Sequence, residues 1–141
     1  MQNTVLLIDD DRFLMSYYVR RLEELQLEVR HVFDPDEALA LIEHERPALA
    51  AIILDIMMPS GTRYDARQTL QGLRTGTVLY RDIRRFYPTT PVLALTNVVN
   101  GEVLEDLECD PLVTVVQKLD YTPNELGELV ESLIAEAQKG A

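Results

Sequence analysis

The 141-residue chain has a single cysteine, Cys109, and no tryptophan, and it has no apolar run long enough to cross a bilayer. One cysteine excludes an internal disulfide and fits a reducing compartment. A membrane helix needs about 18 consecutive apolar residues, so no membrane span is expected. The N-terminus lacks a basic leader and meets three aspartates directly after Val5-Leu6-Leu7-Ile8, which argues against a signal peptide. Basic residues are scarce, 13 Lys and Arg against 24 Asp and Glu, giving a net charge of -11. That balance opposes direct nucleic-acid binding, which depends on a basic footprint. For most positions it serves solubility. Repeats, low-complexity tracts and linkers are absent, and no strand–helix junction carries a P-loop or G-x-G-x-x-G, which sets nucleotide binding low. A soluble, cytoplasmic chain forming one domain over residues 1–141 is expected.

What the chain does have is short apolar runs that end on polar residues. The central one is Ala50-Ala51-Ile52-Ile53-Leu54-Asp55, continued by Ile56-Met57-Met58-Pro59. It is too short for a typical helix and β-branched, so it reads as a buried strand over 50–54 that stops at a carboxylate. Pro59 makes the next segment leave as a loop. Thr4–Ile8 reads as a first strand, 27–32 as an alternating outer strand, 91–96 as a fourth and 113–118 as a fifth. Between them, helices are expected over about 12–25, from Asp34-Pro35, around Val78–Phe86, around 102–107, and from Thr122-Pro123 through Ile134. Asp11 is a plausible N-cap, and Thr122 with Glu125 forms a capping box. Strands alternating with helices argue an α/β fold: a doubly wound five-stranded parallel sheet, order 2-1-3-4-5, with helices on both faces.

The ends of these strands collect a specific set: Asp9 and Asp10, Asp55, Thr96 and Lys118. In the expected strand order they converge on one crevice, where an open parallel sheet binds its ligands. Three carboxylates forced together repel unless a cation intervenes. An all-oxygen site with room for water suits Mg²⁺, which also expects phosphate oxygens. Lys118 adds a fixed positive charge and Thr96 a hydroxyl. The set suits transfer of a phosphoryl group to a carboxylate nucleophile.

At these residues the sequence resembles the receiver domain of two-component response regulators. The resemblance rests on the acidic pair in Leu7-Ile8-Asp9-Asp10-Asp11, on Ile53-Leu54-Asp55-Ile56-Met57-Met58-Pro59, on Thr96 in Leu93-Ala94-Leu95-Thr96-Asn97, and on Lys118, and it covers essentially the whole chain. It implies that Asp55 accepts a phosphoryl group from a histidine-kinase phosphohistidine, directly or through a phosphotransfer protein. It implies Mg²⁺ held by Asp10, Asp55 and the Met57 backbone carbonyl, with Asp9 acting through water. It implies that Thr96 and Lys118 hold the phosphoryl oxygens and relay its arrival to the face of the fourth helix, fifth strand and fifth helix. Because the chain ends after its last helix, a stand-alone receiver that switches binding to an unidentified downstream protein is expected, and the acidic surface is compatible with a homodimer.

The chain also departs from that family. Val115 stands where an aromatic switch residue is usual, and Leu119 replaces the proline that commonly follows the lysine. Met57 and Val98 replace polar groups that orient hydrolytic water, so slow autodephosphorylation is expected. An insertion over about 60–75, about a dozen residues beyond the usual connection, is expected to be functional or disordered. It reads equally as a lid whose Arg63, Arg67 or Arg74 meets phosphate or a partner's carboxylates, or as a solvated loop. His31, His44 and Cys109 read as structural or exposed, and Tyr17 and Tyr18 as a helix face packed on the sheet. A degenerate receiver that binds partners without phosphorylation is the alternative. A haloacid-dehalogenase-type phosphohydrolase is disfavoured, because Met57 stands where its general acid would be.

Overall fold

A computed structural model of the chain describes residues 2–97 and 101–140. Strands and helices alternate along it: β1 (Thr4–Ile8), α1 (Arg12–Glu24), β2 (Glu28–Val32), α2 (Pro35–His44), β3 (Ala51–Asp55), α3 (Thr75–Phe86), β4 (Val92–Thr96), α4 (Gly101–Glu108), β5 (Val113–Gln117) and α5 (Pro123–Lys139). The strands pair in parallel in the order β2-β1-β3-β4-β5, as the alternation predicts. β3 is central and wholly buried, which is why its sequence is continuously apolar rather than alternating.

Successive strand residues feed opposite layers. Leu6, Ile8, Ile52, Leu54 and Ala94 pack with α2, α3 and α4, whereas Val5, Leu7, Ile53, Leu93 and Leu95 pack with α1 and α5. Each fully buried aliphatic side chain contributes on the order of 1.5–3 kcal/mol. The helix starts are set by local chemistry. Asp11 accepts from the Leu14 amide, Asp34 from the Glu37 amide ahead of Pro35, and Thr122 and Glu125 close a reciprocal box.

Two sequence expectations are corrected. On α1 the buried face is Met15, Tyr18 and Leu22, while Phe13 and Tyr17 point to solvent. Adjacent helical residues lie about 100° apart, so Tyr17 and Tyr18 cannot both face the sheet. α3 begins a turn earlier than its apolar spacing suggests, because its first residues are tied to the end of β3. Thr75 Oγ1 donates to the Met58 carbonyl at 2.6 Å and the Gly76 amide to the Ile56 carbonyl at 2.9 Å. A Cβ on Gly76 would stand 2.2 Å from the Asp55 carbonyl oxygen, so only glycine permits this approach.

Residues 60–74 form consecutive turns fastened to two helices. Asp36 on α2 accepts from the amides of Thr62 and Arg63 at 2.8 and 3.1 Å and from the Thr62 hydroxyl at 2.9 Å. Arg63 reaches Glu43 on α2, and the buried Tyr64 donates to Asp82 on α3, both at 2.5 Å. Burial and the Asp82 carboxylate together push the Tyr64 phenol well above its ordinary range.

Candidate functional site

The carboxyl ends of β1, β3, β4 and β5 bring the predicted residues together. Asp55 is the last residue of β3 and Thr96 the last of β4. Asp9 follows β1, and Lys118 follows β5, its amide donating to the Thr96 carbonyl at 2.8 Å. Asp9 and Thr96 are fully enclosed, Asp55 is 3% exposed, and Asp10 stands exposed at the mouth. One oxygen from each of Asp9, Asp10 and Asp55 falls within a 4.8 Å cluster.

Lys118 lies across this cluster, its Nζ 2.9 Å from Asp9 Oδ2 and 3.5 Å from Asp55 Oδ2. Neither approach is aligned as a hydrogen bond, so both buried carboxylate oxygens rely on the Lys118 charge. Asp9 Oδ1, by contrast, accepts from the Asp11 amide at 2.8 Å. The electrostatic result is a carboxylate under pressure. Burial first, then the neighbouring Asp9 charge, pushes Asp55 from 3.8 up to about 8, against the pull of Lys118. Burial also raises Asp9, despite Lys118 and the Asp11 amide. Burial alone would lower the Lys118 pKa, but Asp9 and Asp55 overcome it and raise it, so the amine stays charged.

These residues fit a divalent cation. The donors are all oxygens, they converge, two buried ones lack hydrogen-bond donors, and exposed Asp10 leaves a side open to water, the arrangement that Mg²⁺ favours. Met57 lies two residues past Asp55 at the mouth, its side chain exposed.

The insertion is not a free solvated loop, since the Asp36 and Tyr64 attachments fasten it to α2 and α3. Arg63 is engaged by Glu43, and the charges that set the Asp55 pKa are those of Asp9, Lys118 and Asp10. Val115 is partly buried against the α2–α4 layer, and no peptide bond among the described residues is cis. Val98 lies outside the described residues. His31 is more than a bystander, since its Nε2 sits 3.0 Å from the Asp9 carbonyl oxygen. His44 and Cys109 are exposed. Sequence reasoning missed Gly76 and Thr75, which pin α3 to the acceptor strand. The threonine–glycine pair after a patternless stretch was the signal to read.

The fold is shared with solved receivers. A CheY-like response regulator receiver domain protein from Methanospirillum hungatei JF-1 superposes with a TM-score of 0.78 at 20% identity, covering 100% of both chains. The receiver domain of the Francisella response regulator 1452 gives 0.69 at 25% identity, covering 96% of this chain and 98% of that one. NtrX from Brucella abortus gives 0.75 at 22% identity, covering 99% of this chain but 29% of that longer one. No curated protein matches the chain. With residues 5–130 matching its domain description, the chain belongs to the response regulator receiver domain family.

Proposed function

We propose that Asp55 accepts a phosphoryl group from the phosphohistidine of a histidine kinase or phosphotransfer protein, and that the modified chain changes its binding to a downstream protein. The observation that carries this reading is the buried Asp55 carboxylate, 3.5 Å from Lys118 and clustered with Asp9 and Asp10. In the transfer an Asp55 oxygen attacks phosphorus, a P–O bond forms as the donor's P–N bond breaks, and the imidazole departs. Mg²⁺ held by Asp10, Asp55 and the Met57 carbonyl, with Asp9 through water, would supply charge that keeps Asp55 ionised and offsets the phosphoryl oxygens. Lys118 is already charged and within reach of the same oxygens, and the Thr96 hydroxyl stands at the end of the neighbouring strand.

The surface around the mouth supports a protein donor. Phe13 and Tyr17, in edge-to-face contact at 5.8 Å, are exposed on α1, which begins just past Asp9 and Asp10. Leu119, next to Lys118, is exposed too, and the Tyr18 hydroxyl donates to the Tyr121 carbonyl at 2.8 Å, tying α1 to that loop. Such an apolar rim suits a docking helix. The chain then acts as a phosphoacceptor in the cytoplasm rather than a turnover enzyme, and Met57 beside Asp55 supports a slow loss of phosphate. Among the described residues no helix is long and apolar enough to cross a membrane.

Incubation with Mg²⁺ and acetyl phosphate, then intact-mass measurement, tests the reading. A single phosphoryl adduct on the parent, absent from Asp55→Asn, is expected. An adduct on both proteins, or on neither, refutes it, and an adduct lost within seconds refutes the slow dephosphorylation.

A further inference from the structure

Charge along this chain is divided unevenly. Residues 56–100 carry Arg63, Arg67, Arg74, Arg81, Arg84 and Arg85 against only Asp65 and Asp82, a net charge of +4, so the remainder carries -15. Four of these arginines are neutralised at home, Arg63 by Glu43, Arg81 by Asp106, Arg84 by Asp110 and Arg85 by Asp82. The side chains of Arg67 and Arg74, both in the insertion, form no ion pair among the described residues, although the Arg67 amide donates to Asp65 Oδ1 at 2.8 Å.

Between them the chain displays apolar surface. Leu70 is 49% exposed, Leu73 37% and Met57 45%, and a hollow of about 410 Å³ lined by Met57, Met58, Pro59, Gln71, Gly72 and Leu73 opens there. Leu70, Gln71 and Gly72 run consecutively in the left-handed region, with φ of 52, 60 and 90°. A leucine held there costs on the order of 1–2 kcal/mol and persists only where the surroundings fix it. Here the Gln71 amide donates to the Ala66 carbonyl at 2.7 Å, Arg74 to Thr69 at 2.9 Å and Met58 to Gly72 at 3.2 Å. These bonds fasten the turn to itself and to the segment that leaves the acceptor strand, with Leu70 held out to water.

We propose that this surface docks an acidic segment of another protein, with an apolar side chain entering the hollow beside Leu70 and Leu73 and carboxylates meeting Arg67 and Arg74. Local charge selects that partner: exposed Arg67 and half-buried Arg74, whose enclosed Nε has no hydrogen-bond partner, stand on either side of the leucines along a chain otherwise strongly negative. A second copy is the poorer occupant. Its acidic α4 and α5 would meet this patch head to tail, leaving an open contact at each end between molecules of charge -11. The docking needs no phosphoryl group, so it stands or falls separately from the role of Asp55.

The test is an amide-shift titration of the full chain with a helical peptide bearing leucines on one face and glutamates on the other. A matched leucine–lysine peptide and a random DNA duplex serve as controls. Shifts centred on Met57 and residues 67–74, from the glutamate peptide alone, are expected, and Asp55→Asn retains them. Leu70→Asn removes the anchor while tolerating the left-handed backbone, and it should weaken binding at least about tenfold. Arg67→Glu should weaken the glutamate peptide and admit the lysine one. Equal binding of both peptides, binding of the duplex, or shifts elsewhere would overturn the proposal. So would self-association of the parent that Leu70→Asn abolishes, which would assign the surface to a second copy.

Discussion

Replacing Asp55 by asparagine removes a charge that the fold holds unfavourably, so without divalent cations the variant should be the more stable protein. The carboxyl is 3% exposed, and burial with the Asp9 charge lifts its pKa from 3.8 to about 8. A raised folded-state pKa means that the folded chain holds this proton more tightly than the unfolded chain does. Stability from that proton is fully present below about pH 4 and is lost as pH rises towards 8. Asparagine, neutral throughout, loses nothing. At 1.36 kcal/mol per pH unit the gap approaches about 6 kcal/mol above pH 8 if nothing relaxes. That pKa already includes the pull of Lys118, and relaxation with water entry around the ionised carboxylate reduces the gap to roughly 2–4 kcal/mol. The raised Asp9 acts in the same direction in both proteins, so the difference between them reads Asp55 together with its coupling to Asp9. Urea unfolding of both in chelator, from about pH 5 to about pH 8.5, reads the gap directly. It should widen with pH in favour of Asp55→Asn. Adding Mg²⁺ should stabilise the parent selectively, by about 2.7 kcal/mol at a hundredfold excess over its dissociation constant, and so narrow the gap. A gap that ignores pH, or a variant less stable at alkaline pH, would refute the reasoning.

Gly76→Ala should cost about 3 kcal/mol or more despite alanine's better helix propensity, because its Cβ meets the Asp55 carbonyl at 2.2 Å; thermal unfolding checks this. Asp36→Ala should cost about 1 kcal/mol and chiefly speed hydrogen exchange at the Thr62 and Arg63 amides, since the carboxylate that holds them is partly exposed. Exchange that stays slow would show the insertion fixed by other contacts. Phe13→Ser with Leu119→Ser should slow phosphorylation by a protein donor at least about tenfold while leaving the acetyl phosphate rate unchanged. Equal slowing with both donors would point instead to damage at the acceptor crevice.

Much of this architecture is legible in sequence because its causes are local. The β3 run, the aspartate and threonine caps and the strand-end polar residues each announce themselves within a few positions. What escaped depends on contacts distant in sequence. Nothing near Thr62 indicates that Asp36, 26 residues earlier, holds its amide, nor near Tyr64 that Asp82 accepts its hydroxyl. The start of α3 was missed for the same reason, since Gly76 reads as a breaker until β3 is seen beside it. The site residues were legible as a set because a parallel sheet converts strand ends into neighbours. Their order in depth, with Asp9 enclosed and Asp10 at the mouth, required the structure.

The fastening of the insertion bears on how such a segment can be moved between proteins. Its shape is not encoded within residues 60–75 but shared with Asp36 and Glu43 on one helix and Asp82 on another. Grafting those residues alone into a related scaffold would carry over the letters and leave the conformation behind. A chimera that keeps the shape must bring the three carboxylates as well, together with a glycine where the next helix meets the acceptor strand. Loop and helices therefore form a single heritable unit, and substitutions on α2 or α3 can reshape a surface that neither helix itself presents.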